Sequence, residues 1–270
     1  MSAELLRRLL AEAIGTAILV LFGAGSVVAA LTLGDGTLDY AGLGMVAITF
    51  ALAIALAIYA FGNTSGAHLN PAVTVSLAAV RRFPWPNVPT YVGAQLIGGL
   101  VGAALIPAIF GSDAIDLGSG QTSIADGTTY VQAIVAEALG TFLLVTAIMA
   151  LAVDRRAPGG WAGLMIGLAV AAAILVIGPL TGGSLNPART FGPLVVGAVG
   201  GGDAFWSDFP AYVIGPLLGG LLAAVAYDVV ARPREFDEPE PAQGTQGDIE
   251  GREASVSTNA TDTEERSRYG

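Results

Sequence analysis

Residues 67–74 read AHLNPAVT and residues 183–190 read GSLNPART, one Leu-Asn-Pro-Ala core written twice at an offset of 116. Each triplet has the chemistry of a helix start. Asn70 and Asn186 suit the N-cap, where a side-chain oxygen accepts from the first free backbone N–H groups. Pro71 and Pro187 suit the first helical position, where a missing N–H costs nothing, and Ala72 and Ala188 complete the triplets. The eleven residues from Asn70 to Val80 are uncharged, and Arg81 and Arg82 follow. A helix of that length reaches about 16 Å, half of a hydrocarbon core about 30 Å thick. The spacing predicts a half-helix that does not cross a membrane.

Working outward, the repeat widens. Residues 11–20 (AEAIGTAILV) and 136–145 (AEALGTFLLV) are identical at seven of ten positions at an offset of 125, and residues 91–100 (YVGAQLIGGL) match 212–221 (YVIGPLLGGL) at an offset of 121. Three matches in one order at nearly constant spacing indicate a tandem duplication. Its halves run from about 5 to 110 and from 130 to 231. Around them the chain is 53% hydrophobic and 13% charged, with mean hydropathy +0.66, too apolar for a soluble domain of 270 residues. Charge-free stretches cover 13–34, 40–80, 83–112, 138–153, 157–188 and 209–227, which predicts six membrane spans. The apolar start behind Arg7 and Arg8 carries Glu12 and runs too long for a cleaved signal, so it reads as the first span.

Arginine placement orients the spans. Arg7 and Arg8, Arg81 and Arg82, Arg155 and Arg156, and Arg232 and Arg234 all become cytoplasmic if the segment after Asn70 returns to the side it entered from, whereas loops 34–40, 111–129 and 199–208 have no basic residue. Both termini are then cytoplasmic. Three full spans per repeat is an odd number, so the second half is inverted and its half-helix enters from outside. Inverted repeats with broken helices meeting near the midplane are a transport architecture. All 12 cations are arginine against 22 acids, and residues 231–270 hold ten acids and five arginines. The stretch from 232 to 270 therefore reads as a disordered acidic tail, and residues 1–231 as one channel domain. The chain has no cysteine, hence no disulfide framework or thiolate metal site, and no nucleotide loop, nucleophile-base pair or metal cluster is present. An enzyme, a cofactor or a nucleic-acid partner is not expected.

Two opposed helix N-termini each carry a partial positive charge of about half a unit, so their meeting point repels cations, including a hydrated proton. The extended stretches before them, Ser65 to Leu69 and Gly182 to Leu185, offer carbonyls that a file of permeating molecules can use, with Gly66, Ala67, His68, Gly182 and Ser184 as candidates. Arg189 sits in the first turn of the second half-helix, where the dipole disfavours a cation, and Val73 holds the matching place in the first half. A charge set against local energetics inside a membrane is a functional candidate; the alternative is a side chain that snorkels to the outer interface. Glu12 and Glu137 occupy equivalent apolar positions. Each suits bracing a re-entrant loop, although a proton-coupled transporter also wants two buried carboxylates. His68 suits bracing more than gating. Gly98 with Gly102 and Gly215 with Gly219 permit close approach of spans three and six to neighbours.

SGAHLNPAVT at 65–74, SLNPARTFGP at 184–193 and the paired AEAxGT starts resemble the aquaporin, or major intrinsic protein, family over roughly residues 5 to 231. The pattern is most similar to archaeal members with an Ile in the filter. The resemblance implies an all-α membrane protein with six transmembrane helices and two re-entrant half-helices. It also implies a pore in each subunit, a homotetramer in the cell membrane, and passage of water and small uncharged solutes. The family's outer filter falls on Phe50, Ile174, Gly183 and Arg189. Strict water channels of the family usually carry His at the place of Ile174 and often Cys at Gly183, so this filter is expected to be wider and drier, with open space at Gly183. Glycerol facilitators typically carry Asp directly after the filter arginine, where this chain has Thr190. The rival expectations are a solute facilitator with little water role, a proton-coupled secondary transporter, and a closed structural membrane protein.

Overall fold

Apolar side chains cover every face of the long helices, which is the pattern of a helix surrounded by protein on one side and lipid on the other. The computed structural model describes residues 2–231. The acidic tail expected from 232 lies outside the described residues. The helices are α1 (Ala3–Leu33), α2 (Tyr40–Ser65), α3 (Pro71–Ala79), α4 (Val88–Phe110), the single turn α5 (Asp113–Asp116), α6 (Tyr130–Ile148), α7 (Ala162–Thr181), α8 (Pro187–Gly200) and α9 (Ala211–Val230). A π-helical turn, Met149–Val153, extends α6, and 3-10 turns lie at Trp85–Asn87 and Gly118–Gly120. Among the described residues, six helical segments are long and apolar enough to cross a membrane. Phe22, Met45, Leu56, Ile97, Leu139 and Leu222 are large apolar residues left exposed on them.

α3 and α8 are the half-helices. α3 has nine residues, two fewer than the stretch marked out by charge, because Asn70 and Val80 serve as its caps. α2 continues through Ser65, so the first extended stretch starts at Gly66, one residue later than expected. The duplication is visible in the packing. α1 packs on α2 and α4 as α6 packs on α7 and α9, and α2 against α7 joins the halves. The half-helices cross over: α8 lies against α4 of the first half, and α3 against α9 of the second.

Glycine sets the close approaches. A Cβ on Gly98 or Gly102 would fall on the carbonyl oxygens of Ala13 or Ala17 in α1, and one on Gly219 would fall on that of Ala138 in α6. Gly99 and Gly192 seat α4 on α8 in the same way, each Cβ position overlapping the other helix's backbone. Gly219→Val is therefore expected to force α6 and α9 apart and lower the thermal unfolding temperature in detergent, whereas Gly93→Ala, with nothing within 4 Å of its Cβ position, is expected to be neutral. Equal stability of the two variants would contradict the backbone contact.

Candidate functional site

The two half-helix N-termini meet through their caps. Asn70 Oδ1 accepts from Ala72 N at 2.8 Å, and Asn186 Oδ1 accepts from Ala188 N at 2.9 Å and Arg189 N at 3.3 Å. The amide nitrogens are exchanged between halves: Asn70 Nδ2 donates to the Leu185 carbonyl and Asn186 Nδ2 to the Leu69 carbonyl, both at 2.8 Å. An Asn amide has two N–H donors, so each keeps a second one, and both residues line a central cavity. Pro71, Ala72, Pro187 and Ala188 are buried behind them.

The chain before each cap is wound into left-handed conformations. Gly66, Ala67 and Leu69 have φ of +92°, +46° and +54°; their equivalents Gly182, Gly183 and Leu185 have +74°, +61° and +57°. No described residue donates to the carbonyls of Gly66, Ala67, His68, Gly182, Gly183 or Ser184. Such left-handed backbone persists only where neighbours hold it, and the N–H groups of these stretches are held from behind. Glu12 Oε1 accepts from Ser65 Oγ at 2.6 Å and His68 N at 2.9 Å, and its Oε2 from Leu69 N at 2.7 Å and Gln95 Nε2 at 2.8 Å. Glu137 repeats this, accepting from Thr181 Oγ1 at 2.7 Å, Ser184 N at 2.9 Å and Leu185 N at 2.7 Å. Tyr91 and Tyr212 close the helix ends by donating to the Ser65 and Thr181 carbonyls at 2.9 and 2.7 Å. His68 Nδ1 lies 3.1 Å from Thr74 Oγ1, and its ring packs against Phe83 and Tyr91, which also touch each other.

Outside the caps, the guanidinium carbon of Arg189 lies 5.0 Å from the Phe50 ring centroid, within cation-π range. Arg189 Nη1 donates to the Gly120 carbonyl at 2.8 Å, and its Nε has no hydrogen-bond partner among the described residues. The side chain is 1% exposed, which removes the snorkelling alternative. Ile174 and Gly183, the other two expected filter residues, lie against each other. A Cβ on Gly183 would lie 3.2 Å from both Cα and Cγ1 of Ile174. The expectation of open space at Gly183 is thus corrected: Ile174 crowds the position, and φ of +61° makes a side chain there strained.

A cavity of about 380 Å³ runs from Phe50 past the caps to Arg82 and Arg155. Its lining is mostly aliphatic, with Ile54, Val73, Leu77, Leu144, Ile166 and Val170, and its polar wall includes His68 and Ser184. At the arginine end Arg82 pairs with Asp228 at 3.3 Å, and Arg156 grips Asp154 through Nη2 at 2.7 Å and Nε at 3.1 Å. That hydrogen-bonded guanidinium holds the Asp154 carboxyl well below the usual carboxylate range. A depressed pKa keeps the contact at neutral pH and releases it only as pH falls through the lowered value.

Tyr91, Tyr212 and Gln95 belong to the site without having been marked as such from sequence. The offset-121 repeat begins on the two tyrosines, so their equivalence was present in the signal. Gly120 carried no signal, since the outer loop reads only as lacking basic residues.

Opposed half-helices, a largely aliphatic cavity with a polar wall inside a six-span bundle, and one buried arginine among the described residues define a multi-pass membrane channel. The chain belongs to the major intrinsic protein family, whose model matches residues 1–227. It is 45% identical over 238 residues to "Aquaporin AqpM" of Methanothermobacter marburgensis, covering 83% of this chain and 97% of that one. It is 46% identical over 246 residues to "Probable aquaporin AqpM" of Archaeoglobus fulgidus, covering 86% and 100%. Among solved structures it is similar to the aquaglyceroporin from Plasmodium falciparum, with a TM-score of 0.72 at 26% identity over 84% of this chain and 97% of that one. The protein is a passive channel and not an enzyme.

Proposed function

We propose that the channel conducts water together with small uncharged solutes such as glycerol, and excludes protons and ions. The observation that carries this reading is the row of backbone carbonyls without protein donors on both re-entrant stretches, converging on two asparagine amides that each keep a spare N–H. A water passing along that wall exchanges one set of hydrogen bonds for another, so it crosses without being stripped. Two helix N-termini and Arg189 place positive charge along the narrow region and disfavour cations. Phe50, Ile174, Gly183 and Arg189 serve as the selectivity filter, with donors on one side and hydrocarbon on the other, a match for the carbon face of a polyol. Glu12 and Glu137 brace the loops. Their oxygens accept from backbone and side-chain donors in both halves, which favours a scaffold over a proton-coupled cycle.

Residues 1–231 act as the channel domain, assembled as a homotetramer in the cell membrane with both termini cytoplasmic. Stopped-flow light scattering on proteoliposomes, with a pH dye enclosed in the same vesicles, tests the permeation claim. Water and glycerol permeability well above empty vesicles is expected, without proton leak. A proton current comparable to the water flux would sink the mechanism, and solute uptake against a gradient would select the coupled transporter.

A further inference from the structure

The buried Arg189 is held by one backbone carbonyl, that of Gly120, and Gly120 lies in the outer loop between α5 and α6. What fixes the loop against the half-helix then fixes the arginine. Gly118, Ser119 and Gly120 are all left-handed, with φ of +75°, +52° and +72°, which turns the chain back toward the bundle. A Cβ on Gly120 would fall on the Ala24 carbonyl of α1, so the loop is already seated as deep as a glycine allows. Two residues on, Thr122 is 1% exposed, and its hydroxyl lies 3.1 Å from that of Thr190. Thr190 follows Arg189 directly and also bonds Ser184 Oγ, which donates to the Asn186 carbonyl at 3.0 Å. The Thr122 methyl covers Gly182, whose Cβ position lies 3.1 Å from it.

We propose that Thr122 is a positioning residue for the constriction: its hydroxyl locks the outer loop to α8, so that the Gly120 carbonyl stays on the Arg189 guanidinium. The inference rests on the filter reading above. Other anchors hold the loop elsewhere, with Gln121 Nε2 on the Asp203 carbonyl at 2.8 Å, Ile124 N on Asp208 Oδ2 at 3.0 Å and Ala125 N on the Leu180 carbonyl at 2.9 Å. Loss of the threonine lock therefore leaves the loop folded while releasing its register over the arginine. Thr190 keeps its bond to Ser184, and Tyr212, whose hydroxyl also meets Thr122, keeps its bond to the Thr181 carbonyl, so neither hydroxyl is orphaned.

The test compares glycerol-to-water permeability ratios for the wild-type protein, Thr122→Val, Thr122→Ser and Arg189→Val in matched proteoliposomes. Valine keeps the shape and removes the hydroxyl; serine keeps the hydroxyl and removes the methyl. The ratio for Thr122→Val is expected to rise about three- to tenfold, the hold of one ordinary hydrogen bond, with Thr122→Ser close to wild type. Thr122→Ala takes the place of the valine variant if that fails to assemble. An unchanged ratio in the hydroxyl-free variant, with Arg189→Val shifted, overturns the lock and leaves the filter reading standing. A serine variant that shifts as far as valine assigns the effect to the methyl and also overturns the lock. An unchanged ratio in Arg189→Val overturns the filter and the lock together.

Discussion

Cells expressing Glu12→Ala are expected to yield little folded channel. The substitution leaves the N–H groups of His68 and Leu69, the Ser65 hydroxyl and the Gln95 amide facing a void where two carboxylate oxygens had been. Each buried polar group without a partner costs about 1–3 kcal/mol, so two backbone donors alone approach the margin of a protein stable by about 5–15 kcal/mol. They also sit in a left-handed stretch that relaxes once released. Glu137→Ala should behave similarly and slightly more mildly, because no glutamine amide donates to Glu137. Glu12→Gln should fall between, keeping one acceptor but turning an N–H toward other donors. The measurement is the monodisperse fraction after detergent extraction, followed by thermal unfolding. Near-normal recovery of both alanine variants would mean that the loops hold themselves.

The largest expected change in selectivity comes from Ile174→His. Ile174 is buried beside the Gly183 backbone, and in the proposed filter it supplies the hydrocarbon that faces Arg189. An imidazole there replaces hydrocarbon with a ring that donates and accepts, and it takes away the apolar surface that a solute's carbon chain needs. Water requires only a bonded path one molecule wide. Glycerol permeability should fall about tenfold, equivalent to roughly 1.4 kcal/mol of barrier, while water permeability falls much less. Pairing the change with Gly183→Cys, attractive from sequence, adds backbone strain at a left-handed position and requires residue 174 to give way. A glycerol-to-water ratio that does not move would place the solute-selecting surface elsewhere.

The fold was legible because the repeat and the charges report on the membrane directly. The Asn-Pro-Ala pair marked both half-helices, and arginine placement required α3 to turn back. What charge cannot report is where a helix stops when no charge is near, and so Ser65 went to the extended stretch while the structure winds it into α2. Glu12 and Glu137 stood out as carboxylates in apolar sequence, yet their donors are mostly backbone N–H groups, which every residue carries and no pattern singles out. Gly120 and Thr122 were illegible for a related reason. Their partners, Arg189 and Thr190, lie 69 and 68 residues away, and a loop's register over a half-helix depends on folded geometry rather than on composition. Gly183 was misjudged because glycine read as room, when Ile174 lies 3.2 Å from its Cβ position.

During synthesis the first half-helix waits for its neighbours. When α3 emerges, the acceptor for the Asn70 amide, the Leu185 carbonyl, lies 115 residues further along the chain. The helix that covers its flank, α9, is the last span to be made. Gly220 of α9 lies so close to Ser76 of α3 that a Cβ there would meet its hydroxyl. A nascent chain halted before α9 therefore has both caps but lacks the helix that seats α3. The first half-helix thus gains its seat only when the sixth span is in place.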